Sequence, residues 1–234
     1  MKKIVILTGA GISAESGLST YRNDDGSIWN NYDVKEVATK DAWKKDPVKV
    51  IYFHNELRKL VLNAKPNKAH KTLVDLEEKF IVQIITQNID DLHERAGSSF
   101  VLHIHGEILK ARSILDPSIT IDIKKDMDIN DRCSSGSRLR PDVVWFGEEV
   151  TKFELATEIV NDADIFCVIG TSLKVYPASD LIKFVKDHVP IFVVDPNDQH
   201  IKTLISPRIT YIKEKATEGV PKLVSDLLSE FVDK

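Results

Sequence analysis

Short continuous apolar runs recur along the chain, each closed by small or polar residues, and between them apolar positions fall at helical spacing. Ile4-Val5-Ile6-Leu7, residues 80–86, residues 164–169 and Ile191-Phe192-Val193-Val194 read as buried strands. Residues 101–107 predict a short strand whose alternation sets His103 and His105 on one face. Residues 140–147 predict an apolar strand ending at Gly147, and residues 209–212 a last short one. Helical spacing links Val50, Phe53, Leu57, Leu60, Val61 and Ala64 behind Asp46-Pro47, a pair suited to a helix start. It links Ala69, Leu73, Leu76 and Phe80 next, then residues 152–162, then Leu181, Phe184 and Val185 after Pro177. A terminal helix carries Val220, Leu223, Val224, Leu227, Leu228 and Phe231. Strands alternating with helices predict an α/β fold, a parallel sheet with helices on both faces. The two helices between the first strands, and the polar, poorly packed excursion at 108–140, predict a small inserted module. The division expected within one 234-residue unit is a large domain of 1–25, 81–107 and 141–234, with a module from 26–80 and 108–140.

Composition narrows the class. With 234 residues and 42% apolar content the chain has material for a large core plus a satellite. The net charge of -4 supplies no attraction to nucleic acid or anionic lipid, so neither is expected as a partner. Lys2 and Lys3 lead straight into the first strand, leaving no room for a signal peptide, and no apolar run spans a bilayer. The expected location is cytoplasmic. Cys133 and Cys167 lie far apart in unlike settings, which predicts reduced thiols, with Cys167 as core filler.

The candidate chemistry gathers at strand ends. Behind the first strand, Gly9-Ala10-Gly11-Ile12-Ser13-Ala14 has the Gly-x-Gly-x-x-Ala spacing of a phosphate cradle. An ordinary Gly-rich turn is the alternative. The next strand's acidic residue, expected about 20 positions on, is missing. In its place residues 22–33 form a long polar run with two aromatics, which reads as a loop covering a ligand. Gln87, Asn88, Ile89 and Asp90 follow the second strand, where an open α/β sheet binds ligands; Asn88 and Asp90 as helix caps are the alternative. His103 and His105 are open to three readings, as metal ligands, as core residues or as a catalytic base. His105 is the better reactive group because Gly106 admits a close neighbour. Gly170-Thr171-Ser172 makes a second small-residue turn, and Asp195 ends a further strand.

In order and spacing these segments resemble the sirtuin family of NAD-dependent protein-lysine deacylases. The resemblance is carried by Gly9-Ala10-Gly11-Ile12-Ser13 with Ser16-Gly17 and Tyr21-Arg22; Thr86-Gln87-Asn88-Ile89-Asp90 with Leu92-His93; His105-Gly106; Val144-Trp145-Phe146-Gly147-Glu148; and Gly170-Thr171-Ser172 with Val175-Tyr176-Pro177. It spans nearly the whole chain and looks most like short bacterial and archaeal class III members. It implies a Rossmann-like fold with NAD as cofactor. Gly9, Ala10, Gly11, Ser13, Ala14, Tyr21 and Arg22 would hold the pyrophosphate and nicotinamide side, and Gln87, Asn88, Ile89 and Asp90 the ribose and nicotinamide. Gly170, Thr171, Ser172, Asp195, Pro196, Asn197 and Ala216 would hold the adenosine half. His105 matches the general base, with Asn88 and Asp90 beside it as catalytic residues. His54, Leu57, Val144, Phe146, Gly147, Glu148, Val175 and Tyr176 would meet the substrate, an acylated-lysine protein or peptide clamped as an added strand. The implied products are free lysine, nicotinamide and O-acyl-ADP-ribose.

Four departures qualify the resemblance. Relatives usually bind zinc through two cysteine pairs, whereas the matching segment here offers only Cys133, with Ser113 near a first cysteine's place, so no zinc is expected. The Tyr and Arg that pair with a succinyl or malonyl carboxylate are replaced by His54 and Leu57, which favours acetyl or other uncharged acyl groups. A protonated His54, or Arg58 swinging in, would reverse that preference. Tyr21 stands where Phe is common, and Asp195-Pro196-Asn197 where Asn-x-Glu is more usual. The competing functions are transfer of ADP-ribose to a protein, succinyl or longer-chain deacylation, NAD sensing without chemistry, and hydride transfer.

Overall fold

The structure, a computed structural model, describes residues 1–19, 28–197 and 207–231. The first apolar run forms β1 (Lys3–Thr8), and the turn behind it enters the single-turn α1 (Gly11–Ala14). A 3-10 turn (Ile28–Asn31) and two short helices, α2 (Val34–Val37) and α3 (Lys40–Lys45), precede α4 (Pro47–Asn63). The Asp46 side chain accepts from the Lys49 amide, and Pro47, which has no amide hydrogen to satisfy, opens the first turn of α4. Then come α5 (Lys68–Asp75), β2 (Ile81–Thr86), α6 (Leu92–Ala96), β3 (Val101–His103) and the hairpin strands β4 (Gly106–Ser113), β5 (Thr120–Asp122) and β6 (Leu139–Val143). The chain ends through α7 (Phe153–Asn161), β7 (Ile165–Ile169), β8 (Ile191–Val194), β9 (Ile209–Ile212) and α8 (Ala216–Phe231).

Six strands pair in parallel in the order β3-β2-β1-β7-β8-β9. Successive residues of β1 enter opposite cores, as the period of a strand requires. Ile4 and Ile6 pack with α5 and α8, whereas Val5 and Leu7 pack with α7 and the 3-10 helix Ala178–Phe184. Helices therefore cover both faces, the expected α/β architecture. Because β2 and β3 lie on one side of β1 and β7 to β9 on the other, strand order reverses between β1 and β7, where the carboxyl ends splay into a crevice.

Of the two longer helices inserted before β2, α5 packs on the large sheet through Ala69 and Leu73, while α4 faces the second sheet. That sheet is antiparallel, in the order β5-β4-β6. Ile51 of α4 joins Ala111, Ile123, Met127, Cys133 and Leu139 in a core of its own. The excursion expected at 108–140 is thus a packed sheet, whose apolar residues are too widely spaced to register as a period.

Four further expectations change. The strand over 101–107 stops at His103, because the chain crosses to the second sheet at Gly106; a Cβ there would lie 2.1 Å from the Asp142 carbonyl oxygen, at φ +81. The strand over 140–147 ends at Val143, after which Phe146 bridges Thr39. The segment after Pro177 winds as a 3-10 helix that still buries Ala178, Leu181 and Ile182. On α4, Leu60 is exposed, whereas His54, Asn55 and Arg58 are buried.

Candidate active site

The two glycine turns meet at the reversal point. Gly9 donates to the Ile169 carbonyl, Gly11 to the Gly170 carbonyl, and Gly170 to the Val194 carbonyl. Gly170 has φ +61, and a Cβ on it would lie 2.4 Å from the Ile12 nitrogen. A Cβ on Gly11 would lie 2.7 Å from the Gly170 Cα. The small residues thus let the β1 and β7 turns touch each other. That contact alone requires glycine at 11, where the sequence suggests glycine for the approach of a pyrophosphate. The amides of Ile12 and Ser13 close onto Gly9 and Ala10, so the cradle is a tight turn and not the open end of a long helix. Ala10 at its tip is exposed and Ala14 half-buried.

The exit of β2 locks onto this turn. The Gln87 amide donates to the Thr8 carbonyl, and the Gln87 side chain donates to Thr171 Oγ1 at 3.1 Å, tying the loops of three strands. Asn88 Nδ2 donates to the Gly9 carbonyl at 3.1 Å and to Ser13 Oγ at 3.2 Å, which leaves its Oδ1 for other partners. Ser13 Oγ in turn donates to Asp90 Oδ2 at 2.9 Å, while Asp90 Oδ1 accepts from the Leu92 amide. Asp90 therefore serves both readings, capping α6 and facing the glycine turn. Burial pushes its carboxyl above the ordinary range, against those two hydrogen bonds. Ile89 accepts from the Ile108 amide and packs half-buried near Phe53 and Trp145.

His105 stands in the turn between the sheets with Nδ1 3.0 Å from the Gln87 carbonyl. A carbonyl only accepts, so Nδ1 carries the proton and Nε2 keeps its lone pair. Burial holds this imidazole below its usual range, opposed by the Gln87 carbonyl, so it is neutral near pH 7. His103 makes the matching contact from Nδ1 to the Asn88 carbonyl at 2.9 Å, and its Nε2 meets Glu94 Oε1 at 2.7 Å. The two histidines sit on successive carbonyls of one loop although only His103 lies in a strand.

Beyond His105 the wall is apolar. His54 is buried, with Nδ1 donating to the Val50 carbonyl and Nε2 accepting from Trp145 Nε1 at 3.1 Å. Burial lowers its pKa to about 4, aided by the nearby Arg140 and Arg58, so it is neutral. Leu57 packs partly buried with Phe53 and Val61. Arg58 is buried and pinned, donating from Nε to the Ile108 carbonyl at 3.0 Å and from Nη1 to Asn55 Oδ1 at 2.5 Å. Neither device that would favour an acidic acyl group, a protonated His54 or a mobile Arg58, is present. Glu148 is turned inward: it accepts from the Trp145 amide and from both terminal nitrogens of Arg140, so its carboxylate is spent on the loop's own shape. Phe146 and Tyr176 are exposed, Val144 and Val175 half-buried, and a Cβ on Gly147 would meet nothing within 4 Å. The Val144 amide donates to the His105 carbonyl.

At the far end Thr171 is buried and Ser172 half-buried. Asp195 Oδ1 accepts from the Asn197 amide at 2.8 Å, while Pro196 and Asn197 are exposed. Ala216 is buried at the start of α8, which Glu15 caps through the amide and hydroxyl of Thr217. Tyr21 and Arg22 lie outside the described residues. In the second sheet Ser113 Oγ donates to Ser137 Oγ and accepts from the Leu115 and Asp116 amides, and Cys133 Sγ pairs with Ser135 Oγ. Sequence reasoning missed the supporting residues. Trp145 as the partner of His54 had no signal, whereas the Asn67-x-x-His70 spacing does signal the capping box that brings His70 to within 3.5 Å of Ser13.

A parallel sheet that reverses at a glycine-lined crevice, with a smaller sheet hinged at the turn bearing His105, defines a Rossmann-like α/β protein with an inserted module. The Sir2 family pattern matches residues 9–177, and the chain belongs to that family. A Helicobacter pylori protein named NAD-dependent protein deacylase is 44% identical over 228 residues, covering 97% of this chain and 96% of its own length. A Bacteroides thetaiotaomicron protein of the same name is 45% identical, covering 95% and 97%. A solved variant of a Sir2 homologue in complex with ADP-ribose superposes with a TM-score of 0.88 at 37% identity, covering 100% of this chain and 94% of that one.

Proposed function

We propose that this chain removes acyl groups from protein lysine side chains using NAD, giving nicotinamide and O-acyl-ADP-ribose. The observation that carries the reading is His105, with Nδ1–H spent on Gln87 and its Nε2 lone pair left beside the loop that holds Asn88 and Asp90. The crevice suits NAD: the glycine turn exposes its tip at Ala10 at the carboxyl ends of the strands, and the Asp195 carboxylate suits a ribose hydroxyl and repels a 2′-phosphate. Ala10, Gly11, Ser13, Tyr21 and Arg22 would hold the pyrophosphate side, and Gly170 to Ser172, Asp195 and Ala216 the adenosine. When bound, NAD supplies a glycosidic bond to break and ribose hydroxyls to accept the acyl group. His105 accepts a proton at Nε2, a step worth on the order of 10²- to 10⁴-fold in rate. Asp90, fixed by Ser13 and the Leu92 amide, would stabilise positive charge developing on the sugar of bound NAD, and Asn88 would position the same region through Oδ1.

The acylated peptide lies along Val144 to Gly147 and Val175 to Tyr176, main chain to main chain, with the acyl chain running toward Leu57 and His54. A neutral imidazole and a leucine there favour acetyl and other uncharged groups over succinyl, which lacks a guanidinium partner. The second sheet holds together without zinc, since one thiol among serine hydroxyls is not a four-ligand donor set. Among the described residues no helix is long and apolar enough to cross a membrane. Nicotinamide release from acetyl, propionyl, butyryl and succinyl peptides tests the reading. Acetyl is expected to exceed succinyl at least about tenfold, the loss of one charge-assisted pair, and His105→Ala to stop release from every peptide. A succinyl preference would overturn the acyl assignment, and an active His105→Ala the mechanism.

A further inference from the structure

His103 has no role in the reaction above, yet it is 3% exposed and holds the same loop as His105. Its ring is gripped at both ends by groups that only accept: the Asn88 carbonyl at 2.9 Å from Nδ1 and a Glu94 carboxylate oxygen at 2.7 Å from Nε2. A neutral imidazole carries one hydrogen and can satisfy one of these; an imidazolium satisfies both. His105 shares the first contact and lacks the second. One loop is thus held by two imidazoles, His105 with one acceptor against its ring and His103 with two, on the successive carbonyls of Gln87 and Asn88.

We propose that His103 is a positioning residue that, as an imidazolium clamped between Asn88 and Glu94, fixes the Gln87–Asp90 turn for NAD and serves as the counter-charge of Asp90. The proposal rests on the reading of Asp90 as a residue that faces NAD. Three observations support it. Asn88, whose carbonyl His103 grips, sends its side chain to Gly9 and Ser13, so the clamp reaches the glycine turn through one residue. Burial raises the Asp90 carboxyl, and the Leu92 amide, the Ser13 hydroxyl and then the charge of His103 work against it, so His103 adds to two hydrogen bonds in favouring the carboxylate. Burial works against protonation of His103, but Glu94, the Asn88 carbonyl and Glu107 of β4 outweigh it, and Glu94 is held low in turn by His103 and Lys110. Asp91 is the acidic neighbour that opposes the ionisation of Asp90.

Two measurements on the whole chain test this, and neither needs turnover. The first is the protonation of the ring nitrogens, read by long-range proton–nitrogen NMR. His103 should keep both nitrogens protonated to a higher pH than His105 does, and Glu94→Gln should lower the pH at which His103 gives up its second proton. Glu94 is an exposed position, so this variant keeps the fold if His103→Gln does not. The second is NAD affinity as a function of pH. His103→Gln keeps a donor for Asn88 without the charge; it should weaken NAD about tenfold, the scale of a lost charged hydrogen bond, and move the acid limb of binding to higher pH. Glu94→Gln should move that limb the same way by less. In turnover the loss should fall on KM for NAD more than on kcat. A native His103 that gives up its second proton at no higher pH than His105 does, or an acid limb unmoved in both variants, would overturn the proposal. Native protein that binds NAD with the predicted limb but releases no nicotinamide from acyl peptides would instead count against the deacylase reading.

Discussion

The histidines around the crevice differ in charge because their neighbours differ, and pH should expose this in the stability of the fold. His54 and His70 are both lowered to about 4, chiefly by burial, with nearby arginines adding to it. His93, packed edge-on against His70, is likewise held well below its usual range by burial and by the neighbouring histidines. A histidine depressed in the fold stabilises it above the unfolded pKa of 6.5, and that stability is lost as pH falls toward 4. Denaturant titrations at pH 7.5 and pH 5 should differ by about 2 kcal/mol for each of His54 and His70. His54→Phe, which cannot take up a proton, should flatten its share of that slope; an unchanged slope would mean that His54 is not held neutral. At this scale the sequence exposes motif residues and hides their partners. Gly9, Asn88, Asp90 and His105 are legible because their spacing is fixed by the local turn. The clamp of Glu94 on His103, the inward Glu148 and the pinned Arg58 depend on contacts between distant segments, which no local spacing records.

Among elements, the two glycine turns and the hinge at Gly106 decide where everything else sits. Their strands were legible as apolar runs, and α4 as a capped amphipathic helix. The break between His103 and His105 was not, since alternation continues through a turn that only the second sheet enforces. The contact of Gly170 with the start of α1 makes a sharp prediction. Gly170→Ala places a Cβ 2.4 Å from the Ile12 nitrogen, against backbone that cannot rotate away, in a left-handed conformation. It should cost about 3 kcal/mol in denaturant unfolding and weaken NAD binding. Gly136→Ala, which also has positive φ but meets nothing within 4 Å, should cost about 1 kcal/mol. Equal costs would show that the two turns do not pack as described.

Over the whole molecule, a parallel sheet supplies the crevice, and a second sheet joins it at the turn that bears His105. The architecture was legible from the alternation of elements. The core of the second sheet was not, because Ile51, Ala111, Ile123, Met127 and Leu139 come from three separate segments. That sheet relies on this core and on the Ser113–Ser137 and Cys133–Ser135 contacts. Its melting temperature should therefore be unchanged by a strong zinc chelator, and metal analysis should find no stoichiometric zinc. A chelator-induced fall in melting temperature would contradict this.

The most direct test is mass spectrometry of an acetyl-lysine peptide incubated with NAD and the purified chain. The expected result is deacetylated peptide with equal amounts of nicotinamide and O-acetyl-ADP-ribose, all lost in His105→Ala. ADP-ribose attached to a peptide that keeps its acetyl group, or NAD bound and left intact, would contradict the account.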